Sequence, residues 1–239
     1  MNPGIIIIVS LLFSSFPLLP EPKTTTGTNT FLLLKANNLY SSLSAEGLSF
    51  ETFFMACQGY YQLLAQHSID RDTILTIIDY SKPSYQERLF VIDTKNMKLL
   101  YHSLVAHGKG SGETMAMSFS NQPASHKSSL GFFITADSYM GKHGYSLRID
   151  GIENGINNNA LSRAIVFHEA QYVSSDFIKK YGRLGRSFGC PALPVEISRD
   201  IINTIKNSSC LFIYAPDEQY FQKSKLVNSK LYSPQITAQ

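Results

Sequence analysis

The sequence lacks tryptophan, a strong net charge and any zinc-binding pattern, and each absence narrows what the protein can be. Its 239 residues hold 21 Lys and Arg against 18 Asp and Glu, a net charge of +3. This positive charge is too slight to indicate a nucleic-acid partner, and the sequence shows no lysine–arginine stripe that would follow a phosphate backbone. A mildly basic chain still suits another anionic partner, such as a cell-wall polymer. The three cysteines show no Cys-x-x-Cys spacing, and the six histidines show no His-x-x-x-His spacing. The sequence therefore predicts no metal and no cofactor.

The sequence also lacks an apolar run long enough for a comfortable transmembrane helix. Residues 5–13 are apolar, but serines interrupt the region and Pro20 soon follows. The pattern predicts a signal peptide over residues 1–22, with an uncleaved N-terminal anchor, and hence membrane association, as the alternative. No basic residue precedes the run and no Ala-x-Ala site follows it, so cleavage is left open. Either way, we expect an exported protein in the periplasm or cell envelope.

The 15 Phe and 13 Tyr indicate a β-rich interior. Residues 23–72 are predicted to form a linker and two N-terminal helices, over 29–43 and 50–66. Residues 73–220 follow as the main domain, and residues 221–239 as a polar C-terminal tail. The buried positions of the two helices are predicted to include three residues: Phe54, Tyr61 and Leu64.

Short apolar runs separated by turn residues fill the main domain. We predict strands at seven places: 74–78, 89–92, 99–106, 132–135, 145–149, 163–168 and 210–214. Helices are predicted over 175–181, ended by Gly182, and after Pro194, which can open a helix. The fold class that follows is mainly β with flanking helices (α+β). The glycine-rich residues 107–127 lack the Gly-Lys-Ser/Thr ending of a phosphate-binding loop, so we expect a flexible loop near a functional site.

Cys190 and His168 are the candidate reactive pair. Cys190 lies in Ser-Phe-Gly-Cys-Pro, and His168 ends a strand-like run 22 residues before it. A thiol needs a base to become a strong nucleophile, and imidazole titrates in the right range. The alternatives are a buried structural thiol, a histidine satisfied in the core, or a zinc site with another histidine. Cys57 and Cys210 look like buried apolar residues, and whether they pair is left open.

At these residues a family resemblance becomes visible. Residues 99–214 resemble the murein L,D-transpeptidases, the YkuD-like family, and in particular the branch described as murein L,D-transpeptidase catalytic domain-like. The residues that match the family's strand histidine and nucleophile turn are His168, Ser187, Gly189 and Cys190. The runs 143–148 and 185–191 also look like that branch. Three features depart from the broader pattern: Phe188 in place of a histidine, Ala192 in place of Asn or Arg, and the long spacing between His168 and Cys190.

The resemblance implies an L,D-transpeptidase-like β-sandwich or barrel catalytic domain with an N-terminal helical segment. It also implies a two-step acyl transfer on peptidoglycan stem peptides. The Cys190 thiolate attacks the carbonyl between a diaminopimelate-type residue and D-alanine, while His168 takes the thiol proton and returns it to the leaving amine. The N–H groups of Gly189 and Cys190 are the expected oxyanion donors, and a carbonyl near Ser187 is expected to orient His168.

The same site has candidate substrate-binding residues. His143 and Tyr145 are expected to line the cleft, and Arg186 is expected to pair with stem-peptide carboxylates. Two further arginines, Arg163 and Arg183, are weaker candidates for that role, with solvated surface charge as the alternative. Glu169 is expected on the opposite face of the strand.

Several functions remain open at this point. An amine acceptor makes the protein a transpeptidase, and water makes it an L,D-carboxypeptidase with the same mechanism. A sortase-like or general cysteine peptidase fits the turn around Cys190 poorly. A non-catalytic cell-wall-binding module is the alternative outside enzymes. The sequence does not predict the oligomeric state.

Overall fold

The structure is a computed structural model that describes residues 26–227. The predicted leader, residues 1–22, lies outside the described residues, as does the end of the predicted tail, residues 228–239. Among residues 26–227, no helix has both the length and the apolar character needed to cross a bilayer.

Eight strands form one mixed sheet. They are β1 (Ile74–Asp79), β2 (Leu89–Asp93), β3 (Lys98–Ser103), β4 (Gly131–Gly141), β5 (Gly144–Gly151), β6 (Val166–Glu169), β7 (Ala192–Leu193) and β8 (Cys210–Tyr214). Their order is β3-β2-β1-β8-β4-β5-β6-β7. Two pairs are parallel, β1 with β8 and β6 with β7, and the others are antiparallel.

The two edges of this sheet come together, so that the sheet is nearly a closed barrel. Shortly after β3, Ala106 forms an antiparallel bridge with Ala192 of β7. The amide of Ala106 donates to the carbonyl of Ala192 at 2.9 Å, and the reverse bond is 3.3 Å. Closure removes unpaired sheet edges, and here it also brings the loop after β3 against the loop before β7.

Five helices flank the sheet within the described residues. They are α1 (Thr26–Ser42), α2 (Phe50–Ala65), α3 (Ser175–Tyr181), α4 (Val195–Ile205) and α5 (Glu218–Lys223). Helix α2 begins after Ser49, whose side chain accepts a hydrogen bond from the amide of Thr52. The predicted fold class, mainly β with flanking helices, is confirmed.

The largest part of the core lies between α2 and the central strands. Phe132 of β4 and Phe212 of β8 stack with their ring centroids 4.4 Å apart. Gly59 of α2 lies against the Phe132 ring so closely that a Cβ at this position would overlap it. The helix therefore approaches the sheet through a position where only glycine fits.

Several elements differ from the sequence predictions. Strand β3 ends at Ser103, β6 begins only at Val166, and β7 was not predicted. The linker expected before residue 30 is helical from Thr26 onward. Strand β4 runs on to Gly141, well past the predicted end. Helix α5 begins within the polar region after Pro216 because Asp217 caps it and Tyr220 is buried, with its hydroxyl 3.2 Å from Glu153.

Candidate active site

His168 lies on β6, between two neighbouring strands. It is opposite Ser146 of β5 and opposite Ala192 of β7. Its ring Nδ1 lies 2.8 Å from the carbonyl oxygen of Glu169. Because a carbonyl only accepts, this bond places the proton of the neutral ring on Nδ1 and leaves Nε2 as the basic nitrogen. The orienting carbonyl is therefore that of Glu169, and the predicted carbonyl near Ser187 is replaced in this role.

The parallel pairing of β6 with β7 brings Cys190 close to the start of β6. Cys190 precedes Ala192 by two residues, and Ala192 is opposite His168. The same register places Cys190 level with Val166, whose amide donates to Cys190 Sγ at 3.4 Å. Sγ in turn lies 3.6 Å from the carbonyl of Ala164. Ala164 has φ of +53°, a left-handed conformation that is strained for alanine and that turns this carbonyl towards the sulfur.

The turn before the sulfur is held by the Ser187 hydroxyl. It donates to the carbonyl of Cys190 at 2.6 Å and accepts from the amide of Gly189 at 3.0 Å. The Gly189 amide, predicted as an oxyanion donor, is thus already bonded within the turn. Within residues 26–227 the Cys190 amide has no hydrogen-bond acceptor, so it is the one of the two predicted donors that is available.

The glycine-rich loop after β3 supports the other side of this turn. The amide of Gly108 donates to the Ser128 hydroxyl at 3.0 Å, and that hydroxyl donates to the carbonyl of Gly189 at 3.1 Å. A Cβ on Gly108 would lie 2.7 Å from the Gly189 Cα, so the close contact of the two backbones requires glycine. Of residues 107–127, predicted as a flexible loop near a site, the first three are tied to the turn before Cys190: the Lys109 amide donates to the Ser187 carbonyl at 2.8 Å, and the Ser187 amide donates to the His107 carbonyl at 3.1 Å.

A buried arginine anchors the start of this loop. Arg88 donates to the carbonyl of Val105 from Nε and Nη2, and its Nη2 also lies 2.8 Å from His107 Nδ1. Burial, and then the charge of Arg88, lower the pKa of His107 to about 3. His107 is therefore neutral, accepts at Nδ1 from Arg88 and donates at Nε2 to the carbonyl of Gly112, 3.3 Å away.

Cys190 and His168 open into one cavity of about 550 Å³. Its other polar and aromatic lining residues include Lys142, His143, Arg163, Tyr172, Arg186 and Phe188. No hydrogen bond joins Cys190 Sγ to His168 in the described part of the chain. A second cavity, of about 450 Å³, is lined by residues such as Leu63 and Glu153 and by no cysteine or histidine.

The two candidate reactive groups are both neutral at neutral pH. Burial raises the pKa of the Cys190 thiol, against the lowering effects of the Val166 amide, Arg163 and Lys142. Burial also lowers the pKa of His168, against the raising effect of its hydrogen bond to Glu169. A neutral imidazole can accept a proton from a neutral thiol, which is the arrangement that general base catalysis requires.

The candidate substrate-binding residues divide into two groups. His143 lines the cavity, with its ring centroid 5.0 Å from that of His168. Arg186 lines it too, but its Nη1 already pairs with Glu113 at 2.5 Å. Tyr145 is absent from the lining, because its hydroxyl points towards α4 and donates to Asn203 at 2.8 Å.

The Glu169 carboxylate lies on the face that the sequence predicts, although Glu169 also contributes to the lining of the Cys190 cavity. Its carboxylate accepts a hydrogen bond from Ser198 of α4 at 3.2 Å, on the face that Tyr145 occupies. The described residues include no group of three or more His, Cys, Asp or Glu side chains placed to hold a metal ion.

Sequence reasoning missed two contributors to the environment of the sulfur. The amide of Val166 has no sequence signal, because any residue supplies one and only the strand register directs it at Sγ. Arg163 was ranked below Arg186, yet Arg163 is the arginine that acts on the Cys190 thiol. The available signal was the position of Arg163 just before the strand-like run Ile165-Val166-Phe167 that leads to His168.

Several solved structures are similar to this chain at low sequence identity. A structure of an L,D-transpeptidase from Mycobacterium smegmatis is 11% identical, with 60% of this chain and 59% of that one covered and a TM-score of 0.38. L,D-transpeptidase 3 from Mycobacterium tuberculosis, in complex with a faropenem-derived adduct, is 11% identical over 60% of each chain, with a TM-score of 0.39. This chain thus spans about three fifths of the length of these neighbours, and such low scores carry no argument about function. Curated protein sequences gave no match.

The family rests on a different comparison. The family model for the L,D-transpeptidase catalytic domain matches residues 44–214, which is more than half of the chain. The match includes α2, both candidate reactive residues and the last strand, β8. The chain therefore belongs to the YkuD-like family of L,D-transpeptidase catalytic domains.

Proposed function

We propose that this protein is an exported cysteine acyl-transferase that acts on peptidoglycan stem peptides. The observation that supports it most directly is the common cavity of Cys190 and His168, in which the proton-free Nε2 of the imidazole is the available base. The family acts on peptidoglycan, and the mildly basic chain suits an acidic wall polymer. The proposal that the protein is exported rests only on the apolar run near its N-terminus.

In the first step, Cys190 loses its proton to His168 Nε2, and the sulfur attacks the carbonyl carbon before the terminal D-alanine. The new C–S bond converts the carbonyl into a tetrahedral oxyanion, next to the free amide of Cys190. When the C–N bond breaks, the amine leaves with the proton that His168 returns. The product of this step is a thioester on Cys190 and free D-alanine.

In the second step, an amine of another stem peptide attacks the thioester and gives up a proton to His168. The C–S bond breaks, and the sulfur leaves as a thiolate that recovers the proton. With an amine the product is a cross-link, and with water it is a shortened stem peptide. We propose the transpeptidase reaction, and the carboxypeptidase reaction is the outcome when water replaces the amine.

The test is covalent capture by a carbapenem, whose β-lactam carbonyl can acylate a thiolate. The parent protein, Cys190→Ala and Cys57→Ala are each incubated with the drug, and their intact masses are measured. We expect one adduct on the parent and on Cys57→Ala, and none on Cys190→Ala. Folded parent protein without an adduct, or an adduct that persists in Cys190→Ala, would contradict the proposal.

A second measurement separates the reactions. Purified disaccharide-tetrapeptides are incubated with the parent protein, and the products are followed by mass spectrometry. Cross-linked dimers indicate transpeptidation, and tripeptides with free D-alanine indicate hydrolysis. If neither product forms and the substrate still binds, the protein is a non-catalytic wall-binding module.

A further inference from the structure

Arg163 is a half-buried cation held entirely by neutral acceptors. Its Nη1 donates to the carbonyl of Ser120 at 2.7 Å and to the hydroxyl of Ser129 at 2.6 Å. Its Nη2 donates to the carbonyl of Lys127 at 2.6 Å and lies 3.3 Å from the Ser125 hydroxyl. These bonds fix the planar guanidinium in place, but a neutral oxygen does not cancel its charge.

The other two arginines near the cavity are compensated. Arg183 pairs with Glu113 at 3.0 Å, and Arg186 pairs with the same carboxylate at 2.5 Å. Over residues 26–227, Arg163 makes no ion pair with an aspartate or glutamate. Its positive charge therefore remains available to an anion in the cavity that it lines.

The guanidinium lies beside the nucleophile turn. A Cβ built on Gly189 would be 3.4 Å from Arg163 Nη2, and Gly189 immediately precedes Cys190. The backbone that follows Arg163 also contacts the sulfur, through the carbonyl of Ala164 and the amide of Val166. One short segment thus brings both a fixed charge and a hydrogen-bond donor to Cys190.

We propose that Arg163 is a positioning residue whose uncompensated charge stabilises the Cys190 thiolate. The inference rests on the proposed function, in which that thiolate is the nucleophile. A fixed charge in a partly buried site acts through a lower effective dielectric than water, so it stabilises an anion nearby by more than a solvated arginine does. The direction of its effect agrees, because Arg163 lowers the pKa of Cys190 against burial.

Other charged and titratable groups lie around the Cys190 cavity. Its lining also includes Tyr139, Lys142, His143, His168, Glu169, Tyr172 and Arg186, and a charge on Cys190 also acts on the buried Tyr80. Lys142 lowers the thiol pKa too, but by less than Arg163 does. Lys142 lies on the turn between β4 and β5, and within residues 26–227 its side chain makes no hydrogen bond of the kind that fixes Arg163. We therefore expect its removal to have the smaller effect.

The test measures the ionisation of Cys190 itself. The rate of alkylation of Cys190 by iodoacetamide is followed by peptide mass spectrometry from pH 6 to pH 10 or so, which gives the kinetic pKa of the thiol. We expect Arg163→Gln to raise this pKa by about one unit, and so to slow alkylation at neutral pH about tenfold. Arg163→Lys keeps the charge and should shift the pKa by less than half as much.

Ser129→Ala is the matched control for a purely structural role. It removes an acceptor of Arg163 and loosens the same contact while the charge stays, so the thiol pKa should remain that of the parent. An unchanged pKa in Arg163→Gln would overturn the proposal, as would equal shifts in the Gln and Lys variants. If Arg163→Gln does not fold, the Lys variant decides: a full one-unit shift contradicts the proposal, and a small one supports it.

The carbapenem adduct distinguishes this inference from the function on which it rests. If the parent protein forms no adduct while Arg163→Gln still shifts the thiol pKa, the acyl-transfer function is wrong and the electrostatic role stands. If the adduct forms at the same rate in the parent and in Arg163→Gln at neutral pH, the role of Arg163 is wrong and the function stands.

Discussion

The core between α2 and the central strands and the loops around Cys190 both contain cysteine, but the surroundings of the thiols differ. Cys57 of α2 and Cys210 of β8 are completely buried, and burial raises the pKa of both thiols far above the ordinary value. Cys190 is also largely enclosed, but a backbone amide and a fixed arginine oppose the effect of burial. On the proposed function, the surroundings of the thiol, more than its depth alone, separate an inert thiol from a nucleophile.

The two regions are also built differently. The α2 core is formed by regular strand pairing and aromatic packing, as in the stack of Phe132 on Phe212. The region around Cys190 is held by serine hydroxyls and glycine contacts across loops, as in the bonds of Ser128 and Ser187. Substitutions in the first region should therefore change stability, and substitutions in the second should change reactivity.

The largest effect is expected for His168→Gln, on strand β6 beside the loops around Cys190. Without the general base, acylation of Cys190 by the carbapenem should slow by about 10²–10⁴-fold. The free energy of unfolding should fall by only about 1 kcal/mol, because one hydrogen bond, to the carbonyl of Glu169, is lost. Stopped-flow acylation and urea unfolding measure the two quantities.

His102→Gln is the matched control for this prediction. His102 lies on β3, outside the lining of the Cys190 cavity, where its ring stacks on Phe90 at 4.5 Å. The His102→Gln variant should be acylated by the carbapenem at the rate of the parent protein. If His168→Gln acylates at the parental rate, or if it loses activity only because it unfolds, the division between the two regions is wrong.

The converse prediction concerns Gly59→Ala, in the α2 core. The added methyl would overlap the ring of Phe132, so we expect a loss of about 1–3 kcal/mol in the free energy of unfolding. The folded fraction should still acylate at the parental rate. Urea unfolding at fixed pH gives the stability, and acylation below the transition gives the rate.

A double-mutant cycle shows whether that overlap is the cause. Phe132→Leu makes room for the methyl, so the cost of Gly59→Ala should be smaller on this background than in the parent. Additive costs would mean that the helix avoids the contact by moving. A fall in the acylation rate of folded Gly59→Ala would show instead that the core and the loop region are coupled.

The sequence predicted the regular region better than the loop-built one, for a physical reason. Helix α2 follows from the Ser49 cap and an apolar face, and β8 follows from five consecutive apolar residues; both signals are local. The family motif brought Cys190 and His168 into the prediction as a pair, and the register of β6 with β7 places them at one cavity.

What the sequence could not predict depends on contacts between distant segments. The bridge of Ala106 with Ala192 joins residues that carry no mutual signal. The available charge of Arg163 is evident only once Glu113 is seen to pair with the other two arginines. Helix α5 was missed because its one buried side chain, Tyr220, meets a carboxylate 67 residues away in the chain.

At neutral pH the smallest effect is expected at the junction of the two regions, where Arg88 donates a hydrogen bond to His107. The ordinary pKa of histidine is 6.5, and in the folded protein burial and Arg88 lower that of His107 to about 3. Between these values the unfolded chain binds a proton that the folded protein does not. His107 thus lowers the free energy of unfolding as the pH falls below 6.5, by up to about 1.4 kcal/mol per pH unit.

His107→Gln should remove this pH dependence of the free energy of unfolding and keep the contacts of residue 107 with Arg88 and Gly112. A glutamine oxygen can accept from Arg88, and its amide can donate towards Gly112, but the side chain does not titrate in this range. We expect the difference in unfolding free energy between parent and variant to move in favour of the variant from pH 6.5 down to about pH 4. Asp79 and Glu153, whose pKa values are raised by burial, act in the opposite direction, but equally in both proteins. Parallel pH profiles would show that His107 can be protonated without breaking the junction, and the two regions would then be less tightly joined than the Arg88 contacts indicate.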